Sequence, residues 1–143
     1  RDLLLNGMDI PINWFAVVAA GVVNMVVGYL WYGPLFGKMW KGMMGMTDES
    51  MKAMKVSMTQ AMAGGFVASL VLAYVLARFA FIAGAIDAMT AVTLAFWVWL
   101  GFMATQSIGM YLWEGKSFKL FVLCAGNQLV SVTLMALVLV LWV

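Results

Sequence analysis

Five amide side chains are the residues of this sequence whose type and position could serve chemistry, since each lies within a long apolar stretch. They are Asn24, Gln60, Gln106, Asn127 and Gln128. A buried amide can bind a polar ligand, or it can hydrogen-bond a neighbouring helix and hold the two together. Small residues accompany the amides at four-residue spacing, which lets helix backbones approach closely, as in the series Gly101, Thr105 and Gly109. We therefore expect these amides to form a helix-packing polar cluster, with a polar ligand site as the alternative.

Groups that could titrate or act as nucleophiles are scarce in the same stretches. The chain has no His, and its six acidic residues lie at or beyond the ends of the apolar stretches. Haem and zinc sites in their usual form need His, and proton-coupled transport needs an ionisable group within the membrane. Cys124 is the one cysteine, and nothing electropositive beside it in the sequence would make its thiol reactive. We expect no catalytic residue, no cofactor and no enzymatic activity.

Methionine is abundant, with 14 residues in the chain. Half of them gather in and beside one polar loop: Met43, Met44, Met46, Met51, Met54, Met58 and Met62. Thioethers can bind cuprous copper, so a soft-metal site in this loop is one interpretation. Flexible Met side chains also suit a helix that faces lipid or a partner. Because there is no His and Cys124 lies far along the chain, the second interpretation is favoured and no metal site is predicted.

Charged residues divide the chain into four long uncharged stretches, which run over 10–37, 56–77, 88–113 and 120–143. Hydrophobic residues make up 66% of the chain and charged residues 10%, whereas a soluble domain carries about 25% charged residues. A bilayer core of about 30 Å needs roughly 20 apolar residues in helical form, which all four stretches supply. The sequence therefore predicts a single all-α domain, an integral membrane bundle of four transmembrane helices over about 11–33, 57–82, 88–113 and 119–142. An amphipathic loop over 38–56 joins the first two.

Basic residues lie unevenly between the two sides of this predicted bundle. Two loops, after the first and third helices, hold Lys38, Lys41, Lys52, Lys55, Lys116 and Lys119, whereas the opposite side has only Arg1 and Arg78. Short loops rich in Lys and Arg stay in the cytoplasm. We expect a protein of the cell membrane with both termini outside the cytoplasm and membrane lipids around it. The net charge of +2 includes no patch dense enough for nucleic acid.

The flanks of the first and third helices resemble each other. Five of eight positions agree at an offset of 82 residues, and the same offset aligns Asn24 with Gln106. The interfacial motif contains Tyr29, Trp31, Tyr32, Gly33, Pro34 and Phe36 in its first copy and Tyr111, Trp113, Gly115 and Phe118 in its second. Aromatic residues recur at membrane interfaces in general, which is the alternative explanation. The shared Gly, Phe and amide spacing favours two parallel two-helix repeats related by an axis along the membrane normal.

The stretch over 13–40 also resembles a known family. Asn13-Trp14-Phe15-Ala16-Val17, followed by Gly28-Tyr29-Leu30-Trp31-Tyr32-Gly33-Pro34-Leu35-Phe36-Gly37-Lys38-Met39-Trp40, is similar to the start of the small prokaryotic membrane proteins called domain of unknown function 1761. The resemblance implies a four-span fold. It implies no activity and no functional residues.

Two functions remain open at this point. The first is a non-enzymatic accessory or scaffold subunit, whose helices pack against other membrane protein subunits or against a second copy in a homo-oligomer. The alternative is a homodimeric facilitator, or a protein that binds lipid or a small solute through the amides. Every charged residue lies in a loop or near a helix end, and the deep polar groups are neutral amides beside small residues. That contrast favours packing, because charges persist within spans where a substrate or a proton must pass.

Overall fold

The computed structural model of the protein describes residues 12–44 and 58–142. Four of its helices are long and apolar enough to cross a membrane, and they are called spans 1 to 4 here: Trp14–Leu35, Thr59–Ala83, Ala88–Leu112 and Phe118–Leu141. The described residues include no strand. The predicted all-α bundle of four transmembrane helices is therefore confirmed. Most of the predicted amphipathic loop lies outside the described residues, including Lys52, Lys55, Met46, Met51 and Met54.

Polar side chains at the first turn fix where three of the spans begin. The Asn13 side-chain oxygen accepts from the Ala16 backbone N–H at 3.3 Å, and the Ser117 hydroxyl oxygen accepts from that of Leu120 at 3.1 Å. At span 3, Asp87 accepts from the Thr90 backbone, and the Thr90 hydroxyl oxygen in turn accepts from the backbone N–H of Asp87. Each bond satisfies a backbone group that a helix end leaves without an intrahelical partner.

Span 1 widens near its end, at Pro34. Its α-helix runs over Trp14–Leu30, and a π-helical turn follows over Trp31–Leu35. Proline has no backbone N–H, and its ring crowds the carbonyl one turn earlier, so a regular α-helix cannot pass through it. A short helix, Gly37–Met44, then leaves the span at a tight corner. A Cβ at Gly37 would lie 2.9 Å from the Tyr32 carbonyl oxygen, so the corner requires glycine.

Span 3 is less regular than the other spans. It begins as an α-helix over Ala88–Val98, passes through a π-helical segment over Trp99–Ala104, and ends in two short helical pieces, Thr105–Ser107 and Gly109–Leu112. The turns on either side of it each contain a glycine with φ of +71°, Gly84 before it and Gly115 after it. This left-handed conformation strains other residues and makes these two glycines suited to end a helix.

Span 4 is the centre of the bundle. It packs against spans 1, 2 and 3, whereas spans 2 and 3 touch each other at only a few residues. The buried core is rich in small side chains, among them Ala20, Ala73, Ala91, Ala95 and Ala136. Larger buried residues such as Leu76, Val132 and Met135 fill the space between these contacts. Small residues let the backbones approach, which is how helices associate where lipid removes the hydrophobic driving force.

Candidate functional site: polar contacts between the spans

Asn24 lies where spans 1, 2 and 4 meet. Its Nδ2 donates to the Ser69 hydroxyl oxygen at 2.6 Å, and its Oδ1 accepts a hydrogen bond from the Ser131 hydroxyl. The Ser69 hydroxyl donates onward to the Gly65 carbonyl oxygen at 2.8 Å. Ser69 and Ser131 are both buried. We call Asn24, Ser69 and Ser131 the Asn24 triad; it joins three spans through neutral groups whose hydrogen-bonding capacity is largely used within the protein.

A second polar contact joins spans 3 and 4. The Ser107 hydroxyl donates to the Gln128 side-chain oxygen at 3.1 Å. Ser107 lies in the irregular final part of span 3, and this bond ties that part to the central helix. Both side chains are partly buried. The arrangement is again one of neutral donors and acceptors, which can hold helices together but cannot titrate.

Two tryptophans donate to the backbone of span 4 from opposite neighbours. The Trp31 indole N–H of span 1 donates to the Leu123 carbonyl oxygen at 3.0 Å, and that of Trp99 in span 3 donates to the Ala125 carbonyl oxygen at 2.8 Å. The Trp31 ring lies so close to span 4 that a Cβ at Gly126 would be 3.2 Å from its Cζ2. Trp31 belongs to the predicted interfacial motif, and in the structure it also connects span 1 to span 4.

Next to the contact between Trp31 and span 4, the Tyr32 phenol neighbours the Cys124 thiol and the Asn127 side chain. Among the described residues, the buried Asn127 Oδ1 has no hydrogen-bond partner. The free thiol of Cys124 is partly buried. These three side chains lie between spans 1 and 4, so Asn127 is directed into the bundle.

The two remaining predicted amides face outward. Gln60 near the start of span 2 and Gln106 in span 3 are both exposed side chains. The five amides therefore occupy several places: Asn24 where three spans meet, Asn127 and Gln128 on span 4, and two on the outer surface. Gln106 makes no side-chain hydrogen bond within the described part of the chain. The aligned pair Asn24 and Gln106 thus differs in its surroundings.

The aromatic motif residues also differ between the two flanks. Trp31 is partly buried against span 4, whereas Trp113 is 87% exposed. Phe36 packs on Trp31 with ring centroids 4.8 Å apart, and Phe118 contacts Tyr111 at 5.4 Å. The exposed residues of the two copies are Tyr29, Gly33, Pro34, Tyr111, Trp113, Gly115 and Phe118. The two-repeat relation stays a prediction.

An aromatic stack lies at the opposite end of the bundle. Trp14 and Tyr74 are stacked with ring centroids 5.5 Å apart and planes 7° from parallel. Arg78 lies over the Tyr74 ring at 5.7 Å, and its Nη1 donates to the Tyr74 hydroxyl oxygen at 3.0 Å. The guanidinium retains further N–H groups, since arginine carries five. This end therefore presents a cation and aromatic rings together, a composition typical of a membrane interface.

An apolar groove runs between spans 2 and 3, where those helices separate. It encloses about 290 Å³ and is lined by Phe79, Ile82, Ala83, Leu94, Trp97, Val98 and Phe102. The rings of Phe79 and Phe102 face each other across it at 6.3 Å. Within residues 12–44 and 58–142, no three His, Cys, Asp or Glu side chains come together in a way that could hold a metal ion.

A comparison with known protein families shows which family the chain belongs to. The model of the family described as protein of unknown function DUF1761 matches residues 15–140. The chain belongs to this family. The resemblance read from the motif over 13–40 is thereby confirmed, and the match extends through all four spans. No curated protein and no solved structure matches the chain.

Sequence reasoning did not assign a role to the serines that complete these contacts. Ser131 has a valine on each side, and Ser107 directly follows Gln106, so neither sequence context shows which helix the hydroxyl contacts. Depth along the span could have identified Ser131. It lies 13 residues after the start of span 4, and Asn24 lies 11 residues before the end of span 1, so antiparallel packing brings them level.

Proposed function

We propose that this protein is a non-enzymatic subunit of the cell membrane, an accessory or scaffold protein that works by packing its spans against other membrane helices. The observation that carries the proposal is the use of neutral polar groups for contact between helices. The Asn24 triad, the Ser107–Gln128 bond and the two tryptophan N–H groups each connect one span to another. Such bonds hold helices in register and supply no group that could take up a proton.

The charges of the described residues support the same proposal. Lys38, Lys41, Lys116 and Lys119 flank the spans on one side, and Arg78 lies near the end of span 2 on the other. Arg78 is engaged by Tyr74 at the aromatic stack, away from the Asn24 triad. Four cations against one support an orientation, by the positive-inside rule, with the lysine side in the cytoplasm and both termini outside.

A second candidate function is the binding of a lipid chain, and the groove between spans 2 and 3 favours it. Its lining is apolar and aromatic, so it suits an acyl chain better than a polar solute. The facilitator alternative has less support, because the Asn24 amide already binds Ser69 and Ser131 and leaves little capacity for a passing solute.

Flux measurements on liposomes that contain only the purified chain test the proposal. We expect permeability to protons, potassium and glycerol to equal that of empty liposomes, and Asn24→Leu to leave it unchanged. Flux above that of empty liposomes, abolished by Asn24→Leu while circular dichroism shows an intact fold, would refute the packing function. That result would promote the facilitator instead.

A further inference from the structure

The Gln106 amide is a polar group that the bundle leaves facing outward. Its side chain is exposed, and it makes no hydrogen bond within the described part of the chain. Gln106 lies six residues before the end of span 3, about 9 Å along the helix axis. The next residue, Ser107, bonds to Gln128, which lies ten residues into span 4 and hence about 15 Å from its start. The amide therefore lies within the hydrocarbon region, where water cannot satisfy it.

The surroundings of Gln106 allow another helix to approach closely. Gly101 and Thr105 are exposed on the same segment, and the Thr105 hydroxyl donates back to the Gly101 carbonyl oxygen at 2.8 Å. A Cβ added at Gly101 would meet no atom within 4 Å. By contrast, a Cβ at Gly126 would contact Trp31 of a neighbouring span. Within residues 12–44 and 58–142, no atom fills the space beside Gly101.

The groove between spans 2 and 3 continues this outward surface. Phe102 is 66% exposed, lines the groove, and lies one helical turn from Gln106. Spans 2 and 3 touch at only a few residues, so this side of the bundle is open. We call Gly101, Phe102, Thr105 and Gln106 the span 3 face. It combines exposed apolar surface, small residues that let another helix come close, and one amide without a hydrogen-bond partner in the described part of the chain.

From these observations we infer that the span 3 face is a dimer interface whose partner is a second copy of this chain. This inference rests on the proposed packing function and names its partner. A primary amide is both donor and acceptor, so two Gln106 side chains can satisfy each other with a pair of N–H···O bonds. The face includes no charged residue that would select an oppositely charged foreign helix.

Membrane insertion supplies the geometry that self-pairing needs. Two copies inserted in the same orientation are related by a twofold axis along the membrane normal. Such an axis brings identical residues together at identical depth, and the same surface patch serves both copies. Gln106 therefore meets Gln106 of the other copy at the axis, where Gly101 and Thr105 let the two backbones approach.

Cysteine cross-linking in liposomes that contain only this chain tests the interface. In a Cys124→Ala background, Thr105→Cys should form a disulfide-linked dimer on oxidation at low protein-to-lipid ratio. Val26→Cys is the matched control, since Val26 is 48% exposed at a similar depth on span 1. It should remain monomeric. Equal cross-linking at both positions would indicate random collision and overturn the inference, as would the absence of a Thr105→Cys dimer.

Three further variants separate the interface from the fold. Gly101→Leu should abolish the Thr105→Cys dimer, because the larger side chain blocks the approach of the second copy, while a Cβ at this position meets no atom of the described residues within 4 Å. Gly28→Leu, at a second glycine with open space, should leave the dimer intact. Gln106→Leu should lower dimer affinity roughly three- to tenfold, the effect of losing one or two interhelical hydrogen bonds, in an energy-transfer titration against lipid. Unchanged dimerisation in both Gly101→Leu and Gln106→Leu contradicts the inference.

The same cross-linking in native membranes distinguishes failure of the inference from failure of the proposed function. If Thr105→Cys joins only a different polypeptide, the second copy is the wrong partner and the packing function stands. If the Thr105→Cys dimer forms but the liposomes conduct solute above empty controls, the interface stands and the packing function is refuted.

Discussion

At the scale of single residues, Asn24 holds three spans together through neutral hydrogen bonds. Asn24→Leu keeps a side chain of similar size and removes the bonds to Ser69 and Ser131. Interhelical bonds in membranes contribute about 0.6 kcal/mol each on average, so we expect unfolding free energy to fall by roughly 1 kcal/mol. Denaturant titration in mixed micelles measures this. Val26→Leu, an exposed site two residues away, should have no effect. Equal stability of wild type and Asn24→Leu would show that the triad adds nothing.

Asp87 gives the span 3 start a dependence on pH. Hydrogen bonds from the Thr90 backbone and side chain stabilise its carboxylate and hold its pKa below the ordinary value of 3.8. A carboxyl whose pKa is lower in the folded state contributes stability above its unfolded pKa and loses it as pH falls through the folded one. We expect this contribution to be complete at neutral pH and to disappear below 3.8.

Asp87→Asn isolates that effect from the other acidic groups, because asparagine also caps helices but cannot ionise. Thermal unfolding of both proteins in detergent should show a stability difference that changes below the unfolded pKa of 3.8 and is constant above it. A difference that does not vary with pH would show that the ionised form of Asp87 has no special role.

At the scale of helices, the presence of four spans was predictable and the faces that they bury were not. Uninterrupted apolar stretches locate four spans because a bilayer requires them, and the structure confirms that bundle. The faces could not be assigned, because lipid and core are both apolar and leave no polar side to distinguish. Asn24 and Gln106 illustrate this, since these two amides, which align in the sequence at an offset of 82 residues, lie inside and outside the bundle. The hydrogen bonds of Trp31 and Trp99 depend on tertiary contacts and were equally hidden.

The contact between spans 1 and 4 depends on Gly126. A Cβ there would lie 3.2 Å from Trp31, and the remainder of a leucine would force the indole away from the Leu123 carbonyl oxygen. We expect Gly126→Leu to lower the unfolding free energy by about 1–3 kcal/mol, the usual cost of overpacking. Gly28→Leu is the control, because open space surrounds that position. Similar stability of the two variants would argue against close packing of Trp31 on span 4.

At the scale of the whole molecule, the four spans alternate in direction, so every second loop lies at the same end of the bundle. The two ends therefore carry different loops, and these differ in charge. The end with the helix Gly37–Met44 and the turn before span 4 presents lysines. The opposite end presents the turn over 84–87, with the aromatic stack of Trp14, Tyr74 and Arg78 nearby. Membrane insertion follows the distribution of basic residues in short loops, so this asymmetry predicts the orientation.

Thiol labelling in intact cells tests that orientation with one site on each side. In a Cys124→Ala background, Lys41→Cys should resist an impermeant thiol reagent until the cells are opened, because we expect the lysine side to face the cytoplasm. Ile86→Cys should react at once, since Ile86 is 80% exposed in the turn between spans 2 and 3. The pair controls for expression and for reagent quality within one experiment. Labelling of Lys41→Cys but not of Ile86→Cys in intact cells would contradict this orientation. The lysine side would then lie outside the cytoplasm, against the positive-inside rule.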